Sequence, residues 1–125
     1  MDYQPRVMVV DDDENILSAF EDFLRTENCR VVTETNAERA FARFAEQRID
    51  LLITDIRLKL HSGITLLLQV RSAYPCVPTI VITGHPDVIT EQEVLKYGAE
   101  YYFLKPLELD KLRSALRKCL SITTR

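Results

Sequence analysis

Cysteine is scarce and unpatterned: Cys29, Cys76 and Cys119 are an odd number with no CxxC spacing. That argues against a disulfide framework and a structural zinc site, leaving three ordinary thiols of a reducing compartment. Histidine is rarer still, and His61 and His85 share no ligand spacing with each other or with a cysteine, so a histidine-based metal centre is not expected. No apolar run approaches the roughly 20 residues of a membrane span. The N-terminus has no basic region followed by an apolar signal segment. An excess of basic residues is also missing. The net charge is −3, the wrong sign for a general nucleic-acid binder. A cytoplasmic protein is expected, touching neither nucleic acid nor membrane directly.

The 125 residues suit one domain spanning 1–125, long enough to bury roughly two-thirds of its unfolded surface. Five strand-like hydrophobic runs, near 7–10, 30–34, 51–54, 79–82 and 101–104, alternate with segments of helical periodicity. Ile16, Leu17, Phe20, Phe23 and Leu24 mark a first helix ending near Asn28. Asn36 suits the N-cap of a second helix bearing Ala37, Ala40, Phe41 and Phe44. A third carries Ile64, Leu67, Leu68 and Val70 and stops at Pro75. Thr90-Glu91-Gln92-Glu93 reads as a capping box opening a fourth helix, which Gly98 closes. The fifth, about Leu109 to Leu120, sets Leu109, Leu112, Leu116 and Cys119 on one stripe. The tail Ser121–Arg125 reads equally as a terminus or as the start of a linker excised from a longer protein. Repeated β-α alternation predicts a parallel sheet with helices on both faces, a flavodoxin-like (βα)5 three-layer sandwich. The strand order expected is 2-1-3-4-5, because the second run ends in Glu34-Thr35, with no matching chemistry, and so belongs at an edge.

The other four runs end on polar groups that such a sheet brings to one edge: Asp11-Asp12-Asp13, Asp55, Thr83-Gly84 and Lys105-Pro106. Adjacent carboxylates repel unless protonated or joined by a cation. Mg²⁺ suits them, taking oxygen ligands and needing only one or two protein carboxylates beside phosphate oxygens. An aspartate beside that ion can attack phosphorus to form an acyl phosphate. Lys105 would then neutralise one phosphoryl oxygen, while the Thr83 hydroxyl and the Gly84 N–H donate to another. The plainer reading is that Asp11-Asp12-Asp13-Glu14 only cap the first helix, which suits Asp13 and Glu14 but does not account for Asp55, Thr83 and Lys105.

Taken in order, the pieces resemble the receiver domain of two-component response regulators, over Arg6 to about Leu120. They are Val-Val-Asp-Asp-Asp (9–13), Ile-Thr-Asp-Ile-Arg-Leu (53–58) with Gly63 eight residues after Asp55, Val-Ile-Thr-Gly-His (81–85), and Gly-Ala-Glu-Tyr-Tyr-Phe-Leu-Lys-Pro (98–106). The resemblance implies that Asp55 is the phosphoacceptor and that Asp11, Asp12, Asp55 and the backbone carbonyl of Arg57 hold Mg²⁺. It also implies that Thr83 and Lys105 contact the phosphoryl group, Thr83 and Tyr102 form the switch, and Lys105–Pro106 is a cis bond. The implied phosphoryl donor is a sensor histidine kinase or a histidine phosphotransfer protein. The implied output is a protein-interaction surface on helix 4, strand 5 and helix 5, where a homodimer could also form. The output domain or target is not indicated. Such a domain is not an enzyme beyond self-catalysed phosphotransfer and autodephosphorylation.

The chain departs from the family where Met-Pro is common: Leu58 and Lys59 stand there. Arg57 and His85 stand where family side chains flank the hydrolytic water, so they are candidates for setting phosphoryl lifetime. Two alternatives remain. A haloacid-dehalogenase-like phosphatase would use Asp11 as nucleophile in Asp11-x-Asp13. However, Glu14-Asn15 replaces the usual Gly-Thr, and no late acidic pair follows Lys105. A pseudo-receiver would bind partners without phosphorylation.

Overall fold

The structure, a computed structural model, describes residues 3–58, 63–84 and 91–123. Strands and helices alternate: β1 (Arg6–Val10), α1 (Glu14–Thr26), β2 (Arg30–Glu34), α2 (Ala37–Glu46), β3 (Leu51–Asp55), α3 (Gly63–Ala73), β4 (Thr79–Thr83), α4 (Glu91–Lys96), β5 (Tyr101–Leu104) and α5 (Leu109–Thr123). All pairings are parallel and the order is β2-β1-β3-β4-β5, as expected.

Side chains on a strand alternate between faces, so each strand feeds two layers. Val7, Val9, Leu51, Ile53, Ile80 and Ile82 pack beneath α1 and α5, against Leu17, Phe20, Leu24, Leu112 and Leu116. Met8, Val10 and Leu52 face α2 and α3 through Ala40, Phe44, Leu66 and Val70. A third cluster joins Ile56 and Val81 to Leu67 of α3 and Val94 of α4. β3 and β4 are buried at every residue, which is why they read as unbroken apolar runs. Each buried Leu or Ile there stabilises the fold by about 1.5–3 kcal/mol relative to exposure. β2 and β5 are the edges and are only partly covered.

Two helices end in the same way. The N–H groups of Asn28 and Cys29 return to the carbonyls of Arg25 and Leu24, and those of Gly98 and Ala99 to Leu95 and Val94. This is the Schellman pattern, which needs a left-handed residue: Asn28 has φ 61° and Gly98 φ 110°. α1 therefore stops at Thr26, short of Asn28. Asp13 caps α1 by accepting from Asn15 N–H at 2.9 Å, and Asn36 caps α2 by accepting from Arg39 N–H at 3.0 Å.

The expected stripe on α5 is corrected at its start. Leu112, Leu116 and Cys119 are buried, but Leu109 is 53% exposed. Leu107, just before the helix, packs against the α1–α5 cluster instead, so the first helical turn needs no apolar anchor. Leu68 of α3 is also exposed, because the buried stripe there is Gly63, Leu66, Leu67 and Val70. α5 continues past Leu120 to Thr123, making most of the expected tail helical. Ser62, Thr90, Lys59 and His85 lie outside the described residues.

Candidate functional site

β1 and β3 are paired with Val10 opposite Thr54, so Asp11 and Asp55 emerge next to each other. β4 brings Thr83, and β5 ends opposite it at Leu104. Lys105 follows, its N–H bonded to the Thr83 carbonyl at 2.8 Å, and the Lys105–Pro106 peptide is cis as expected. The Lys105 ammonium reaches Asp11 Oδ2 at 2.9 Å and Asp55 Oδ2 at 3.1 Å. Its partners lie 94 and 50 residues away in sequence.

Asp11 and Asp55 are buried, at 1% and 5% exposure, whereas Asp12 faces solvent. Each carboxylate is also held through its second oxygen. Asp11 Oδ1 accepts the Asp13 N–H at 2.9 Å, and Asp55 Oδ1 accepts the Arg57 N–H at 3.2 Å. One oxygen from each of Asp11, Asp12 and Asp55 falls within 4.8 Å of the others. One ammonium against three carboxylates leaves the cluster negative. An all-oxygen set of this kind, open to solvent at Asp12, fits a hard divalent cation such as Mg²⁺.

Burial raises the Asp55 pKa above the usual carboxylate range. The Lys105 hydrogen bond and charge pull it back, the Asp11 charge pushes it up, and the Arg57 N–H lowers it. For Lys105, burial works downward, but the hydrogen bonds and charges of Asp11 and Asp55 prevail and raise its pKa. The site thus holds a firmly charged ammonium against a carboxylate whose ionisation is disfavoured by its surroundings.

Thr83 is fully buried at the end of β4. A methyl added to Gly84 would lie 3.8 Å from Lys105 Cδ, so that glycine stands beside the lysine stem. Arg57 is exposed. Tyr102 is half-buried against the cluster containing Leu67, Val81 and Val94. Its hydroxyl pKa is raised by burial and then by Glu91.

A family model described as the response regulator receiver domain matches residues 7–117. The chain belongs to that family. Among the receiver's relatives, the transcriptional regulatory protein ZraR of Escherichia coli (strain K12) is 32% identical over 117 residues, covering 94% of this chain and 26% of that protein. The alginate biosynthesis transcriptional regulatory protein AlgB of Pseudomonas aeruginosa is 34% identical over 119 residues, covering 95% and 26%. The receiver spans about a quarter of the length of these curated relatives. A receiver domain crystal structure from Clostridium thermocellum superposes with a TM-score of 0.87 at 27% identity, covering 94% of each chain. The receiver is thus a signalling domain of two-component response regulators. Asp13, the second aspartate of the phosphatase alternative, caps α1.

Two features of the receiver site escaped sequence reasoning. The Thr54 hydroxyl bonds the Asp55 carbonyl, and Gly63 lies against that same carbonyl. Thr54 read as one more β-branched strand residue, and only the interval from Asp55 to Gly63 hinted at the second.

Proposed function

We propose that Asp55 accepts a phosphoryl group from a sensor histidine kinase or histidine phosphotransfer protein. The observation that carries this reading is the Lys105 ammonium bonded to both Asp11 and Asp55 at the sheet edge. An Asp55 oxygen attacks phosphorus, the phosphorus–nitrogen bond of the donor phosphohistidine breaks, and the imidazole leaves with the bond's electron pair. The product is an acyl phosphate, later cleaved by water to restore the carboxylate. Asp11, Asp12, Asp55 and the Arg57 carbonyl would hold Mg²⁺, which supplies positive charge to the phosphoryl oxygens. Lys105 neutralises a second oxygen and is already held at the acceptor. Thr83 and the Gly84 N–H serve a third.

The dianionic group draws the Thr83 hydroxyl toward it, and Tyr102 moves into the space released, shifting the population of the α4-β5-α5 surface. That surface carries the exposed side chains Leu95, Tyr97, Leu104 and Leu109, which suit an apolar partner face or a homodimer. Arg57 and His85 set how long the phosphoryl persists, and replacing both with Ala should change the dephosphorylation half-life. A cytoplasmic domain within a longer regulator fits the phosphoryl donor and the three cysteines, Cys29, Cys76 and Cys119, none of them in a disulfide. Among the described residues no helix is long and apolar enough to cross a membrane.

The test is to incubate the chain with Mg²⁺ and acetyl phosphate and to map any hydroxylamine-labile phosphate. Label on Asp55 that disappears with EDTA and in Asp55→Asn supports the reading. Label on Asp11 would indicate phosphatase chemistry, and none at all would indicate a domain that only binds partners.

A further inference from the structure

Thr54 is fully buried, and its hydroxyl donates to the main-chain carbonyl of Asp55 at 3.0 Å. The next peptide N–H, of Ile56, is tied to the Ile82 carbonyl at 3.2 Å. The same peptide meets the start of α3. A Cβ on Gly63 would sit 1.8 Å from the Asp55 oxygen and 2.9 Å from Ile56 Cα, and Gly63 N–H donates to the Ile56 carbonyl at 2.6 Å. The Asp55–Ile56 peptide is therefore held at its oxygen, at its nitrogen and on its face.

That peptide adjoins the acceptor carboxylate. The Asp55 carboxylate is one methylene from the Cα at which the peptide begins, and its Oδ1 takes the N–H of Arg57, the residue after the peptide. A rotation of the peptide would turn the Arg57 donor away from Oδ1 and loosen the carboxylate that faces Lys105. Such small misplacements of a reacting atom reduce rates strongly.

We infer that Thr54 is a positioning residue for the phosphoacceptor: its hydroxyl fixes the Asp55–Ile56 peptide, and through it the direction of the Asp55 carboxylate. The inference rests on the reading of Asp55 as acceptor. A mere packing role for Thr54 makes the opposite prediction from a hydroxyl role. Valine keeps the volume and loses the donor, whereas serine keeps the donor and loses a methyl group.

The experiment compares wild type, Thr54→Val and Thr54→Ser in initial rate of Asp55 labelling by acetyl phosphate, in Mg²⁺ affinity by amide NMR, and in thermal midpoint. With the hydrogen bond lost, labelling by Thr54→Val should slow by about tenfold and Mg²⁺ bind more weakly. Thr54→Ser should label within about twofold of wild type despite a lower thermal midpoint. Thr54→Val at the wild-type rate, or both variants slowed equally, overturns the inference. If Thr54→Val does not fold, Thr54→Ala against Thr54→Ser makes the same comparison. Absence of Asp55 label in wild type sinks the underlying reading. Label in wild type with Thr54→Val unslowed sinks only the role of Thr54.

Discussion

Replacing Lys105 with methionine keeps most of the side chain and removes the ammonium that lies 2.9 Å from Asp11 and 3.1 Å from Asp55. Two buried carboxylates then face each other with no cation. At an effective dielectric constant near 20, each contact is worth about 5 kcal/mol of attraction before desolvation is counted. Removing one partner of a buried pair typically costs about 3–5 kcal/mol. The Lys105 side chain keeps 25% exposure, so water can reach the site, and a loss of about 2 kcal/mol is the better expectation. For a domain of this size that corresponds to roughly 7 °C in thermal midpoint.

The pH dependence has a definite sign. The folded Asp55 already titrates high, and Lys105 supplies the interactions that lower it. A carboxyl whose folded pKa lies above its unfolded value favours the fold when protonated, and that contribution disappears as pH rises through the folded pKa. Lys105→Met should raise this pKa further. The variant's deficit should therefore be largest at about pH 7.5 and shrink toward about pH 5. Millimolar Mg²⁺ should restore part of it by taking over the neutralisation. The assay is calorimetry of both proteins in EDTA and in Mg²⁺ at the two pH values. A deficit under about 1 °C at the higher pH, or one that grows on acidification, would refute the charge argument.

Asp12→Asn, at an exposed carboxylate, should weaken Mg²⁺ binding by about tenfold or more while moving the thermal midpoint by under about 2 °C; titration calorimetry alongside melting would check both. Asp50→Ala should cost about 2–3 kcal/mol in urea denaturation. Its buried carboxylate accepts from the Arg6 N–H at 2.9 Å, Arg48 Nε at 2.9 Å and the Tyr3 hydroxyl. Glu27→Gln weakens the ties from the end of α1 to Arg113 and Arg117, each 3.0 Å away on α5. The expected loss is about 1 kcal/mol, with Asp55 labelling unchanged; altered labelling would mean that the α1–α5 contact reaches the site.

The sheet order was legible because a single silent strand end, Glu34-Thr35, marked the edge. The site was legible because parallel pairing turns distant strand ends into neighbours, so the sequence alone groups Asp11, Asp55, Thr83 and Lys105. Asp13 and Asn36 cap their helices as read. Leu109 was misjudged because periodicity carries no information about where a helix clears the sheet edge, and Leu107 took the anchoring role. Thr54 was invisible for another reason. A hydroxyl on a β-branched strand residue looks the same whether it packs or bonds, and only the position of a neighbouring carbonyl distinguishes the two.

The three clusters are unequal. The one beneath Tyr102 has Ile56, Leu67, Val81, Val94 and Ala99 as its buried members, roofed on one side by the six residues of α4. The α1–α5 cluster spans the whole width of the sheet from Val31 to Tyr101. Sub-global opening should follow that inequality, with α4 amides exchanging with deuterium well before those of β1 and β3. Of the three clusters, the one with the fewest buried members thus lies against Tyr102, and its opening should leave the far layer, and with it the domain, folded.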